Sequence, residues 1–283
     1  MTPLLEARNV TKVFGGGGLR RKSQTVALKN FSLAIDADSP TIIAVVGESG
    51  SGKTTMGRIL LGLERATEGE VLYRGKNLNH LPREEWRQFR MEVQAIFQDP
   101  FGVFNSFYKV DHVLTMPIAK FGLAQDPKEA RGLIEHALRA VGLRPSDTLG
   151  RYPNQLSGGQ RQRIMVARAL LLRPKVIIAD EPVSMIDASL RMTVLGNLLQ
   201  LKQEFGISII YITHDLTTAY QISDSIIVLY HGEVVEQGDV ELVNAPKHPY
   251  TKLLISSIPL PDPNQHWGEE VDDTLSPALA DVR

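Results

Sequence analysis

Gly47-Glu48-Ser49-Gly50-Ser51-Gly52-Lys53-Thr54-Thr55 fits the pattern G-x-x-x-x-G-K-[ST] and follows directly on the apolar run Thr41 to Val46. Glycines let such a loop curl so that successive backbone N–H groups point at the β- and γ-phosphates of a bound triphosphate. The positive end of the helix that follows adds to the field. Lys53 contributes a point charge between those phosphates, and the Thr54 hydroxyl can ligate Mg²⁺. The other reading, a glycine-rich turn that fits by chance, is disfavoured by the strand-like run leading into it.

A second apolar run, Val176-Ile177-Ile178-Ala179, ends in Asp180-Glu181-Pro182. Beside a phosphate loop, Asp180 can hold Mg²⁺ through water, and Glu181 can polarise an attacking water. Consecutive strand side chains point opposite ways, so only one of the two carboxylates can share the metal's side. Taken alone, the pair could equally be a solvated strand end.

Leu156-Ser157-Gly158-Gly159-Gln160 precedes an amphipathic pattern running through Arg163, Ile164, Ala167 and Leu170. Ser157 can be a simple N-cap with the glycines as a turn. Alternatively, its hydroxyl and the unsatisfied N–H groups of the helix start form an anion site. The chain already has one phosphate loop, so a second anion site points to a γ-phosphate contributed by another subunit, with two such subunits closing head to tail over two nucleotides.

The elements that must position these residues are legible in outline. Leu4 to Val13, Thr25 to Ile35 and Glu70 to Tyr73 read as an antiparallel β layer. Ile42 to Val46, Val176 to Ala179, Ser208 to Ile212 and Ile226 to Leu229 read as buried parallel strands. Gly15 to Gly18 and the basic residues after it read as a flexible loop, and His231-Gly232 as a hairpin turn. Leu81 to Asn154 is charged and helix-favouring, with helices expected at Pro82 to Gln88 and Asp126 to Val141, so it is a helical insertion in an α/β core. The region from Asn244 onward is rich in proline and acidic residues, and from about Trp267 it has few apolar anchors, which predicts a mobile tail.

Composition narrows the function classes. With 283 residues the chain can hold one large domain and an appendage. It has no cysteine, which excludes disulfides and thiolate metal sites and fits a reducing compartment. A net charge of −1 gives no field for nucleic acid. No apolar run approaches the roughly 18 to 20 residues needed to cross a bilayer, so a membrane role is expected to come through partners.

Together, Gly47 to Thr55, Gln98 in Phe97-Gln98-Asp99-Pro100, Leu156 to Gln160, Asp180-Glu181, Asp187 in Ser184-Met185-Ile186-Asp187, and His214 in Ile212-Thr213-His214-Asp215 resemble, in order and spacing, the motifs of ATP-binding-cassette ATPases. The resemblance implies a RecA-like P-loop core of α/β class with an antiparallel β subdomain and a helical signature subdomain. It implies ATP and Mg²⁺ as ligands, with Gln98 sensing the metal and attacking water, Asp187 communicating across a dimer of cassettes, and His214 contacting the γ-phosphate. Phe14 sits where the family usually places an aromatic ring on adenine, the lesser alternative being a ring in the β-layer core. On this basis residues 1–85 and 159–238 form the nucleotide-binding core with its β subdomain, 86–158 the helical subdomain, and 239–283 a C-terminal extension.

Gly238 to Leu254, with His248-Pro249-Tyr250-Thr251, resembles the extension of oligopeptide, dipeptide and nickel importer ATPases. That branch implies a second cassette, identical or paralogous, two membrane permease subunits, an external substrate-binding protein and the cytoplasmic face of the cell membrane. The segment after Asp99-Pro100 departs from peptide-type relatives. Phe101, Phe104, Phe107 and Tyr108 there suit a socket for a permease helix or, alternatively, the insertion's own core. The cargo classes left open are oligopeptides, dipeptides and oligosaccharides, and a nucleic-acid-associated ATPase is the rival outside transport.

Overall fold

The computed structural model describes residues 2–15, 24–97, 104–184 and 188–257, with backbone alone at 188–190. In chain order the strands are β1 (Leu5–Phe14), β2 (Thr25–Ile35), β3 (Ile42–Val46), β4 (Glu68–Tyr73), β5 (Lys76–Asn77), β6 (Val93–Ile96), β7 (Val176–Asp180), β8 (Ser208–Thr213), β9 (Ser225–Tyr230) and β10 (Glu233–Asp239). The helices are α1 (Lys53–Leu60), α2 (Arg83–Glu92), α3 (Asp111–Phe121), α4 (Pro127–Ala140), α5 (Pro145–Thr148), α6 (Gly158–Leu170), α7 (Ala188–Phe205), α8 (Leu216–Ile222) and α9 (Pro249–Ser256).

The strands form two sheets. Antiparallel β2-β1-β4-β5 is the β layer, and β10-β9-β3-β8-β7-β6 is the core sheet. In the core sheet β9, β3, β8, β7 and β6 run parallel, and β10 turns back antiparallel to β9. The β9–β10 turn is His231-Gly232 with φ of 46° and 84°, the pair of positive values that a two-residue hairpin of this hand requires.

Alternation along each core strand divides the apolar side chains between two faces. Ile42, Ala44, Val46, Ile177, Ala179, Ile209 and Tyr211 pack with residues of α3, α4, α6, α7 and α8. Ile43, Val45, Val176, Ile178, Ile210 and Ile212 pack with α1 and with β1, β2 and β4. Both faces are covered, which is why β3 and, after its buried Ser208, β8 are predominantly apolar and are buried along their whole length.

The reading of Leu81 to Asn154 as helical missed β6, which pairs with β7 from Val93–Val176 to Ile96–Ala179. Four residues, two of them only half-buried, carry no usable period. Their strand state comes from the partner β7, about 80 residues further along the chain. Elsewhere the helices expected at 82–88 and 126–141 are α2 and α4. The loop expected from Gly15 to Ser23 lies, apart from Gly15 itself, outside the described residues, as does the tail from Trp267.

Candidate active site

Parallel pairing sets the site's layout. Val46 lies opposite Thr213, and Asp180 opposite Ile212, so β3, β8 and β7 end side by side at one edge of the sheet. The residues that follow these strands are the glycine-rich loop, His214 and Glu181. Such an edge, outside the carboxyl ends of parallel strands, is where open α/β sheets bind ligands.

The loop is wedged in place by its neighbours. A Cβ on Gly47 would stand 2.2 Å from the Leu229 carbonyl oxygen, and one on Gly52 would stand 2.2 Å from that of Ala27. Gly52, with φ of 104°, immediately precedes α1. Gly232 N–H also donates to the Ser51 carbonyl at 3.0 Å. Ser49 and Gly50 are exposed at the mouth, Ser51 is buried, and Thr55 is half-buried on the first turn of α1. The Lys53 ammonium is buried and donates to the carbonyls of Gly47 and Glu48, both at 2.7 Å, with Ser51 Oγ at 3.4 Å. Burial lowers its pKa, opposed by the fields of Glu181, Asp180 and Glu48.

The two adjacent carboxylates point to different partners. Val176, Ile178 and Asp180 share the α1 face of the core sheet, and Asp180 there meets the Thr54 hydroxyl. Burial raises the Asp180 pKa, and the Glu181 charge adds to this, while Thr54, Lys53 and Arg58 pull the other way. Glu181 lies just past the strand end with φ of 46°, an unusual backbone state for a glutamate. That state is held by Glu181 N–H donating to the Ile212 carbonyl at 2.9 Å and by Ser184 Oγ on the Glu181 carbonyl at 3.0 Å. The Glu181 carboxylate sits 3.0 Å from His214 Nδ1. The backbone beside His214 is fixed in turn: Asp215 caps α8 through the N–H groups of Thr217 and Thr218, and its own N–H donates to Thr213 Oγ1.

Thr54 and Asp180 therefore face each other with Lys53 beside them, while Glu181 and His214 form a second pair. Among the described residues no cluster of three or more His, Cys, Asp or Glu could by itself hold a metal. One hydroxyl and one carboxylate suit Mg²⁺, which keeps several waters and takes phosphate oxygens from a nucleotide.

Ser157 caps α6: its Oγ accepts from Gln160 N–H at 3.2 Å, and Gln160 Oε1 accepts from Ser157 N–H at 2.9 Å. This reciprocal cap leaves the N–H groups of Gly158 and Gly159 at the first two helical positions, which have no intrahelical acceptor. A Cβ on Gly158 would meet nothing within 4 Å. The cap thus leaves room for an anion at the same residues.

Phe14 is half-exposed at the end of β1, and the Lys12 ammonium lies 4.8 Å from its ring centre. Lys12 is held there by Glu64 Oε1 at 2.6 Å and the Arg65 carbonyl at 2.9 Å. The period-two spacing of Lys12 and Phe14 was the available signal for this pair, and the sequence reading passed over it. Gln98 and Asp187 lie outside the described residues, as does Phe101. Of the other aromatic residues in the insertion, Phe104 packs against the core, whereas Phe107 and Tyr108 are exposed.

Comparison with known proteins gives the family and the fold. Residues 28–184 match the family model described as ABC transporter, and residues 235–280 match the one described as oligopeptide/dipeptide transporter, C-terminal region. The chain belongs to the ATP-binding-cassette transporter family, as an ATP-hydrolysing cassette. It is 40% identical over 253 residues to the oligopeptide transport ATP-binding protein OppF of Haemophilus influenzae, covering 89% of this chain and 75% of that one. It is also 40% identical over 262 residues to OppF of Streptococcus pyogenes serotype M1, covering 92% and 83%. Among solved structures, a dimeric post-hydrolysis ATP-binding cassette bound to ADP and Pi superposes with a TM-score of 0.71 at 30% identity, covering 83% of this chain and 98% of that one. The cbiO1 cassette of Clostridium perfringens superposes with a TM-score of 0.72 at 25% identity, covering 87% and 92%.

Proposed function

We propose that the chain is the ATP-hydrolysing subunit of an oligopeptide importer, working at the cytoplasmic face of the membrane with a second cassette and two permease subunits. The observation that carries the catalytic part is the convergence of Lys53, Thr54, Asp180, Glu181 and His214 on one edge of the core sheet. Support for the cargo comes from the OppF relatives and from the match of residues 235–280.

In this reading the loop N–H groups and Lys53 grip the phosphates, and Phe14 stacks on the base with Lys12 fixing the ring. Thr54 and Asp180 would hold Mg²⁺, which neutralises phosphate charge when bound. Glu181 orients the attacking water and accepts its proton, while His214, hydrogen-bonded to Glu181, aims that carboxylate and faces the γ-phosphate. Gln98 and Asp187 complete the site by family resemblance. Ser157, Gly158, Gly159 and Gln160 of the opposite cassette supply the remaining phosphate contacts. ATP then bridges two protomers through its γ-phosphate and ADP does not, so the nucleotide shifts an open–closed equilibrium that the permease subunits follow.

Permease docking is supported by two adjoining grooves, one on the helical insertion and one between the insertion and the core, each of about 300 Å³. Phe104, Tyr108, Val113 and Met116 line the first, and Leu61, Leu63 and Phe97 the second, with Met116 and Arg168 common to both. No helix among the described residues is long and apolar enough to cross a membrane.

The test is Glu181→Gln in the assembled transporter. Loss of the proton-accepting carboxylate is expected to cut ATP hydrolysis by at least ~10²-fold with ATP binding retained. Hydrolysis near the wild-type rate would remove Glu181 from its role. Uptake of labelled oligopeptides, set against oligosaccharides, checks the cargo.

A further inference from the structure

The C-terminal extension reaches the phosphate loop directly. Glu236 on β10 accepts the N–H groups of Lys247 at 2.8 Å and His248 at 3.0 Å, which anchors the entry to α9. His248 caps the helix by accepting from Tyr250 N–H at 3.2 Å, and Pro249 occupies the first helical position. This start aims Tyr250 back at the core sheet. There it is 4% exposed, its ring lies 4.1 Å from that of Tyr230, and its hydroxyl oxygen accepts from Glu48 N–H at 2.9 Å.

The peptide unit involved gives this contact its meaning. Glu48 N–H and the Gly47 carbonyl belong to one planar, rigid group whose N–H and C=O point in opposite directions. The Gly47 carbonyl accepts from the Lys53 ammonium at 2.7 Å. Tyr250 therefore holds one end of the plane whose other end holds the phosphate-binding lysine. Burial raises the Tyr250 pKa, so the hydroxyl stays neutral at physiological pH. The loop's neighbours Leu229, Ala27 and Gly232 belong to the cassette itself, whereas Tyr250 belongs to the extension.

We infer that Tyr250 is a positioning residue for the nucleotide site: its hydroxyl fixes the Gly47–Glu48 peptide plane, and through it Lys53, so that docking of the extension sets the affinity for the nucleotide's phosphates. The inference rests on the loop from Gly47 to Thr55 being the nucleotide site. By linkage, nucleotide binding also tightens the hold on α9.

The experiment uses the full-length chain and titration with Mg²⁺ and a non-hydrolysable ATP analogue, alongside hydrogen exchange of the loop and the melting temperature. Tyr250→Phe keeps the ring packing and removes only the acceptor. It is expected to weaken analogue binding roughly three- to tenfold and to speed exchange across residues 47–52. Glu236→Ala, which keeps the hydroxyl and frees the entry to α9, is expected to act in the same direction, and the double variant to add little beyond either. Lys53→Ala serves as the control: undiminished analogue binding there would overturn the site itself. Abolished binding in that control, with affinity and loop exchange unaltered in both Tyr250→Phe and Glu236→Ala, would overturn the positioning role alone, whatever happens to the melting temperature.

Discussion

Replacing Gly52 by alanine tests the wedged loop most sharply. The new Cβ would stand 2.2 Å from the Ala27 carbonyl oxygen, where about 3.4 Å is an ordinary contact, so β2 or the loop must move by roughly 1 Å. The φ of 104° adds a backbone cost of about 1–3 kcal/mol for a residue carrying a Cβ. Gly50 is the internal reference: its φ is also positive, at 86°, but its Cβ would meet nothing within 4 Å. Gly50→Ala without nucleotide is thus expected to cost only the conformational term, about 1–2 kcal/mol, or roughly 2–8 °C in melting temperature. Gly52→Ala is expected to cost at least twice that. If even 2 kcal/mol of its strain is relieved by tilting the loop N–H groups away from the phosphates, ATP affinity falls about 30-fold. Thermal unfolding of both variants and calorimetric ATP titration of Gly52→Ala are the assays. Equal melting temperatures for the two variants, with wild-type affinity in Gly52→Ala, would refute the steric argument.

Phe14→Ala is expected to weaken ATP binding by about 1–2 kcal/mol while sparing affinity for inorganic triphosphate, since only the base loses its partner; a fluorescence competition assay separates the two. Glu92 offers a pH test. Burial alone would raise its pKa, but hydrogen bonds from Tyr73, Arg74 and Gln88 outweigh this and hold it below the ordinary carboxylate value. The stabilisation it gives is therefore complete above that ordinary value and is lost as pH falls through the depressed folded-state value. Glu92→Gln is expected to cost about 1–3 kcal/mol at neutral pH and to flatten the acid limb of a melting-temperature profile.

Much of the site was legible because its motifs are contiguous. Gly47 to Thr55, Asp180-Glu181 and Ser157 to Gln160 each lie next to the strand or helix that aims them, so local pattern and position coincide. Strand alternation predicts that Asp180 and Glu181 point apart; they do, the first to Thr54 and the second to His214, but the turn that redirects Glu181 comes after the strand has ended. What escaped depends on partners distant in sequence. Val93 to Ile96 is a strand only because β7 lies beside it. Tyr250 was legible only as part of the extension resembling the importer ATPases, and only the folded chain brings its hydroxyl to Glu48, about 200 residues earlier. The left-handed backbone at Glu181 is likewise held by Ile212 and Ser184 and has no signature of its own in the sequence.

In the proposed mechanism a triphosphate on one cassette is met by the Ser157 helix tip of the other. Because the chain has no cysteine, Asn154→Cys places a spin label at a unique exposed position three residues before that tip. In the assembled transporter carrying Glu181→Gln, the distances from this label to Mn²⁺ loaded with nucleotide can be read by pulsed electron resonance. With ATP the account predicts a second, shorter distance to the metal on the opposite cassette, absent with ADP. A single distance, identical in ATP and ADP, would contradict it.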